Sequence, residues 1–431
     1  MNLEEYDKRI YQLDSILNIL EWDKDFVAPH GSRQEEKLIQ DLKIEKLKFI
    51  KQNFKKLEEQ DNNAYISFKK DYDYSANIAE NLDRDLLKEI EKTKRIYNST
   101  YNSQKEKMHK ISKSLERMIK ILQTEIDNIN NLNTTRYNKL LNYYIDDYFL
   151  EYIDDIMEKI KKEAIALIKK YGYINSKDNI YLQVPANKIS ELYKQYGVDT
   201  EKIVFQEDLY NSCMQLFNDD IRITITNPIY YNELFHEMGH TIYMQEISPK
   251  RYFRNMRPKS IVFDEAVALL YELFINPKSN LFTHSFDAYS KRIETSNILR
   301  TLHIVIRYEI ERDLINGVLD VENLYEAYNI KYKQYFMNDY KENEVNIFDD
   351  AQWFNGVYGY FPVYNISFLV AYMIYEKYNF RNKTPFEIKN ILSESILKYG
   401  NEISTEKILE NIGVFDFKRE YTNIIKRLEN I

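Results

Sequence analysis

Apolar residues recur at helical spacing from the start of the chain. Tyr6, Ile10, Leu13, Ile16, Leu17 and Leu20 fall three or four positions apart, with charged residues between them, the pattern of one buried face on a helix. Helix is predicted from residue 3 to about 60, broken at Ala28-Pro29-His30-Gly31-Ser32, with Ser32 as the N-cap of the second segment. Residues 61 to 172 keep this texture and predict further long, highly charged helices, whose charge runs read as solvated faces. The Asn-rich stretch from Asn128 to Asn133, followed by Thr134-Thr135, marks a turn or helix boundary.

The period changes between Asn175 and Pro228. Tyr181-Leu182-Gln183-Val184, Ile203-Val204-Phe205 and Ile221-Arg222-Ile223-Thr224-Ile225-Thr226 are short, β-branched and separated by turn residues, so they predict strands of a small sheet. Asn227-Pro228 closes the last of them, and helical spacing resumes to the end. The expected organisation is a single catalytic unit over 1–431: a helical region over 1–174, a small mixed β segment over 175–228 and a second helical region over 229–431. No repeat or linker divides it further.

Composition narrows the classes. With only 9 glycines and 8 prolines in 431 residues, the chain has few turn-formers, and the fold class is mainly α. The net charge is −8, with both signs interspersed and no basic stripe, which argues against nucleic acid as a partner. Cys213 is the only cysteine, so an intrachain disulfide and a thiolate zinc cluster are excluded. The amino-terminal MNLEEYDKRIYQL has no signal-peptide core. The most apolar stretch, Tyr360 to Tyr375, is interrupted by Asn365 and Ser367 and is too short to span a bilayer. A cytoplasmic protein with no membrane partner is expected.

Candidate chemistry begins at Phe235-His236-Glu237-Met238-Gly239-His240. Side chains four apart on a helix share a face, so His236 and His240 can supply two corners of a tetrahedral zinc site. Glu237, beside the first ligand, can take a proton from an attacking water. The plain alternative is a solvated helix with no metal. A third ligand is required, and neither His284 nor His303 follows closely enough to supply it on the adjacent turn. The best candidate is Glu265, 25 residues after His240 and in an otherwise apolar run, where an isolated carboxylate would be costly. The other reading pairs Glu265 with an arginine and gives the metal role to Glu272 or Asp264.

Two arginines could bind a substrate carboxylate in a bidentate manner. Arg222 interrupts the strand before the zinc helix, and Arg292 lies on the helix after the third-ligand helix. Each has a structural ion pair as its alternative role. The segment from Trp353 to Tyr364 gathers tyrosines and glycines ahead of an apolar helix. Tyrosine hydroxyls can stabilise an oxyanion, although among 38 tyrosines composition singles out none, and core packing is the alternative for each.

Several separated segments together resemble the Taq-type thermostable metallocarboxypeptidases. Leu17-Asn18-Ile19-Leu20-Glu21-Trp22-Asp23 with Pro29 and Gly31 is similar to that family's opening Leu-x-Trp-Asp helix. Asp220-Ile221-Arg222-Ile223-Thr224 fits its Asp-x-Arg-x-Thr motif, and His236 to His240 with Tyr243 and Glu246 fits its zinc helix. Residues 303–317 (HIVIRYEIERDLING) and Gly359-Tyr360-Phe361-Pro362-x-Tyr364 also match. The resemblance covers most of the chain outside residues 60 to 175.

It implies an all-helical, two-lobed zinc peptidase with a deep substrate groove, acting on the C-termini of peptides, with Zn or in some cases Co. It further implies Glu265 as third ligand, Glu237 as base, and Arg222 with Arg292 as the carboxylate grip. Tyr364, ahead of Tyr360, would stabilise the transition state, and the assembly would be a homodimer. The chain departs from the family pattern at Asp208-Leu209-Tyr210, at Asp264-Glu265-Ala266-Val267, at Thr295-Ser296 and at Gln352-Trp353. Two further readings stand beside it: an oligopeptidase or dipeptidyl-carboxypeptidase of the related helical type, and an inactive metal-binding scaffold.

Overall fold

Asn2 opens the first helix as a capping box. Its side chain accepts from the Glu5 amide at 2.8 Å while Glu5 accepts from the Asn2 amide at 3.1 Å. The helix α1 (Leu3–Trp22) buries Leu3, Tyr6 and Ile10 against Ile50, Phe54, Ala64 and Phe68; of the predicted stripe Tyr6, Ile10, Leu13 and Leu17 are buried, whereas Ile16 is exposed. Our description comes from a computed structural model and covers residues 1–28, 33–59, 63–78, 80–101, 103–129, 134–171, 183–208, 211–217, 219–247, 258–275, 286–336 and 346–427; side chains at 33, 80, 171 and 286–299 are not described. The expected Ser32 cap lies outside these residues.

Helices dominate. After α1 come α2 (Arg33–Asn53), α3 (Asn63–Asn77), α4 (Glu80–Tyr97), α5 (Gln104–Asn128), α6 (Arg136–Tyr144), α7 (Asp147–Leu150), α8 (Ile153–Tyr171) and α9 (Ile189–Gln195). The strands β1 (Ile203–Glu207), β2 (Ser212–Phe217) and β3 (Asp220–Ile225) follow. The chain then continues through α10 (Tyr231–Glu246), α11 (Ile261–Leu273), α12 (Phe286–Ile315), α13 (Leu324–Tyr335) and α14 (Ala351–Phe354). It closes with α15 (Pro362–Tyr378), α16 (Pro385–Ser395), α17 (Thr405–Asn411) and α18 (Phe417–Arg427). The boundary expected at Asn128 is real, and Thr135 caps α6 by accepting from the Asn138 amide at 3.2 Å.

The chain folds into two compact units that interleave along the sequence. One comprises Met1–Tyr72, Lys177–Glu294 and Ile366–Ile424; the other comprises Asp73–Ser176, Thr295–Asn365 and Ile425–Ile431. The sequence reading divided the chain into consecutive stretches instead. None of the described helices is long and apolar enough to cross a membrane. The apolar stretch that begins at Tyr360 is mostly α15, a core helix whose interrupting residues are satisfied internally. Ser367 donates to the Val262 carbonyl at 2.8 Å, and Asn365 donates to that of Thr301 at 3.1 Å.

The sheet belongs to the first unit and has the order β1-β3-β2, with β1 parallel and β2 antiparallel to β3. Two of the expected strands are β1 and β3. Of the third, expected at 181–184, residues 181 and 182 lie outside the description, and Gln183 forms an isolated bridge with Tyr230. In its place stands β2, whose Ser-Cys-Met-Gln-Leu-Phe contains no β-branched residue and so carries little propensity signal.

Register decides which face each side chain takes. Phe205, Ile223 and Cys213 are cross-strand partners on one face. Cys213 Sγ stands 3.7 Å from Thr241 Oγ1 on α10, so this face is covered by α10. Val204, Arg222 and Met214 are partners on the other face.

Candidate metal centre

Four residues after His236, a helix returns to the same face, and α10 places His240 there. The two Nε2 atoms stand 3.3 Å apart. Glu265, on α11, brings Oε2 to 3.5 Å from His236 Nε2. One donor atom from each of His236, His240 and Glu265 lies within 4.8 Å of the others. Zinc–ligand bonds of about 2.0–2.1 Å at tetrahedral angles put neighbouring donors about 3.3–3.4 Å apart, so the two measured edges fit such an ion.

α11 reaches this position because nothing on α10 holds it away. Gly239 lies between the two histidines, and a Cβ built on it would stand 2.5 Å from Ala268 Cα and 2.8 Å from the Val267 carbonyl oxygen. The helices run antiparallel, since His240 meets Asp264 while His236 meets Glu272. His236 Nδ1 is 2.9 Å from Glu272 Oε2, and His240 Nδ1 is 2.9 Å from Asp264 Oδ1. Glu272 accepts a hydrogen bond from His236 Nδ1, which holds the proton there and leaves Nε2 as the lone-pair atom facing the partner ring, while Asp264 stands beside His240 Nδ1 as a close negative charge outside hydrogen-bond geometry. Two lone pairs and a carboxylate converging at this range repel one another unless a cation or protons lie between them.

The electrostatics agree. Burial lowers the pKa of both histidines, but carboxylates outweigh it: Glu272 and Glu265 raise His236, while Asp264, Glu265 and Glu237 push His240 up to about 10. The pocket is therefore short of positive charge, which suits a divalent ion. Glu237 is buried, and burial pushes its pKa up, with Glu265 and Glu272 adding to the shift and the two histidines opposing it. A carboxylate raised in this way is a stronger base than an exposed one.

Glu272 and Asp264 were weighed in the sequence only as substitutes for Glu265. The structure brings them against the Nδ1 atoms instead. Glu265 and Glu272 are seven apart, nearly the same face of α11, and that spacing was the available signal.

Arg222 is not brought to this cluster. It lies on the sheet face turned away from α10, where Asp220 takes its guanidinium through Nε–Oδ1 and Nη2–Oδ2 contacts of 3.2 and 3.1 Å. The guanidinium carbon stands 5.9 Å from the Trp22 ring centroid. Arg292 falls on α12, but its side chain lies outside the described residues. Tyr360 and Tyr364 belong to the second unit, where their rings meet edge-on at 5.5 Å. Tyr360 precedes α15 and Tyr364 lies in its first turn.

The family model described as carboxypeptidase Taq (M32) metallopeptidase matches residues 2–291 and 283–427. Carboxypeptidase 1 of Bacillus subtilis is 25% identical over 280 residues, 56% of each chain. Thermostable carboxypeptidase 1 of Thermus thermophilus is 26% identical over 222 residues, 43% of each chain. The matched stretches therefore span about half the length of these curated relatives. The M32 carboxypeptidase structure from Deinococcus radiodurans R1 superposes with a TM-score of 0.80, covering 100% of this chain and 99% of that one at 14% identity, a likeness that bears on the fold alone.

Proposed function

The chain belongs to the carboxypeptidase Taq (M32) metallopeptidase family, and on that footing we propose that it is a zinc-dependent carboxypeptidase removing C-terminal residues from peptides. The observation that carries the proposal is the convergence of one donor atom each from His236, His240 and Glu265 within 4.8 Å, with edges of 3.3 Å between the histidines and 3.5 Å from His236 to Glu265. Zinc is the proposed ion, with cobalt as the alternative. When bound, it supplies Lewis acidity for hydrolysis at neutral pH.

His236, His240 and Glu265 hold the ion, while Glu272 and Asp264 keep the imidazoles oriented. Glu237 accepts the proton of the attacking water on its carboxylate and returns it to the departing amine. Tyr364, ahead of Tyr360, donates a hydrogen bond to the oxyanion. Arg292 and Arg222 are the proposed grip on the substrate's free carboxylate, on family resemblance. Arg222 already holds Asp220, so a substrate carboxylate would have to compete with that pair. Cytoplasmic residence and a homodimer complete the reading, the first supported by the single cysteine and the second by the resemblance.

Mass spectrometry of one peptide with a free or an amidated C-terminus tests this directly. The expected result is a ladder of C-terminal losses from the free peptide, a loss of rate of at least about tenfold with the amide, and no turnover by Glu237→Gln. Equal internal cleavage of both peptides would transfer the assignment to the oligopeptidase type.

A further inference from the structure

The motif at 303–317 places a carboxylate where the chemistry above makes no use of one. Glu311, on α12, is fully buried. It accepts from three donors, all uncharged: Trp353 Nε1 at 2.6 Å on Oε1, and Tyr137 Oη at 2.8 Å with the Gly359 amide at 2.9 Å on Oε2. Among the described residues no cation pairs with it, which is costly for a buried carboxylate, and burial pushes its pKa up to about 7 even against the pull of these donors. An apolar residue would fill the space without burying a charge, and a glutamine would set its NH2 group against one of the three donors. What the carboxylate uniquely provides is acceptor capacity on both oxygens at once.

Those acceptors fix both ends of one segment. Trp353 and Gly359 enclose five residues, and the loop is cinched from within by Tyr358, whose hydroxyl donates to the Trp353 carbonyl at 2.8 Å. Gly359 has φ +83°, and a Cβ there would come within 3.3 Å of Leu140, so the amide reaches Glu311 through a backbone turn that favours glycine. One helical turn earlier, Arg307 pairs with Asp350 and lies 4.9 Å from the Phe361 ring centroid. Immediately beyond Gly359 comes Tyr360, whose carbonyl accepts from the Val363 amide at 3.0 Å and whose ring meets Tyr144 and Tyr364 edge-on.

We propose that Glu311 is a positioning residue for the reaction: its carboxylate clamps Trp353 and Gly359 and thereby sets the direction in which Tyr360 and Tyr364 present their hydroxyls. The inference rests on the carboxypeptidase reading for its catalytic consequence and on geometry alone for the clamp. Residues 353–364 are held by α12 at defined points, and the two tyrosines inherit that placement. A displacement of about 1 Å at a reacting group can cost about 10²-fold in rate.

The test is Glu311→Gln in the full-length, metal-loaded enzyme, read in two ways. The amide keeps the shape but turns one acceptor into a donor facing another donor. Hydrogen exchange should accelerate at least about tenfold in peptides covering 353–364 while those covering α10 and α11 stay unchanged. kcat should fall about 10- to 100-fold with KM within about threefold. In a Tyr364→Phe background the same substitution should cost no more than about threefold, because the group it positions is gone. Should Glu311→Gln fail to fold, Trp353→Phe removes one donor and should show a smaller kcat loss with the same coupling.

Unchanged exchange in 353–364 overturns the clamp. Faster exchange with kcat unchanged, or a kcat loss equally large without the Tyr364 hydroxyl, overturns the positioning role and leaves Glu311 as a stabilising residue. A wild-type enzyme that trims no free C-terminus sinks the carboxypeptidase reading and the positioning role together, and the exchange result still decides the clamp.

Discussion

Substituting Gly239 by alanine sets two effects of opposite sign against each other. Alanine in a helix interior is favoured over glycine by about 1 kcal/mol, so propensity alone predicts a more stable protein. The added Cβ, however, would stand 2.5 Å from Ala268 Cα and 2.9 Å from its amide nitrogen. The obstacle is the backbone of α11 and not the end of a flexible side chain. Ordinary contact begins near 3.4 Å, so α11 must retreat by roughly 1 Å at a point three residues beyond Glu265, whereas metal–ligand distances tolerate only about 0.2 Å. Overpacking of this kind costs about 1–3 kcal/mol and should more than offset the propensity gain. Gly239→Ala is expected to lower Tm and to weaken metal binding at least about tenfold. Competition against a chelator of known affinity, with thermal scans in the presence and absence of metal, measures both. Wild-type metal affinity together with an unchanged or higher Tm would refute the argument that this glycine sets the separation of the two helices.

Other consequences concern the carboxylates. Asp264→Asn and Glu272→Gln should each leave the fold intact and weaken metal binding about 10- to 100-fold; chelator competition that returns wild-type affinity for both would remove them from the centre. Glu125, on α5, is fully buried, and burial, with Asp83 adding to it, raises its pKa from 4.5 to about 8. The folded state keeps a proton that the unfolded chain sheds, so the contribution of Glu125 to stability is complete below about pH 4.5 and declines as pH rises to about 8, by up to about 5 kcal/mol. Urea unfolding at pH 5 and pH 9 should show that decline in the wild type and a smaller one in Glu125→Gln; equal declines would place the cause elsewhere.

The helical character and the His236–Glu237–His240 site were legible because both depend on local periodicity. Spacing of four on a helix carries its own geometry, and Glu265 stood out as a carboxylate in an apolar run. The partners of the histidines were not legible. That His236 meets Glu272 and His240 meets Asp264 depends on the antiparallel register of α10 and α11, which no local pattern encodes. Arg222 shows the same limit from another side. The alternation of Ile221, Ile223 and Ile225 already put the arginine on the opposite face of β3, but which face α10 covers is a tertiary fact, carried by the contact of Cys213 with Thr241. β2 escaped because Ser212 to Phe217 lacks β-branched residues and is held by pairing with β3. Glu311 went unremarked because its three donors come from Tyr137, Trp353 and Gly359, between 42 and 174 residues away in sequence.

The central claim is that His236, His240 and Glu265 together hold one divalent ion. Elemental analysis of exhaustively dialysed protein, wild type beside Glu265→Ala, tests it most directly. The account predicts close to one zinc per chain in the wild type and a small fraction of that in the variant, with both proteins folded by circular dichroism. Stoichiometric zinc in Glu265→Ala, or a folded wild type that takes up no divalent ion from excess zinc, would contradict it.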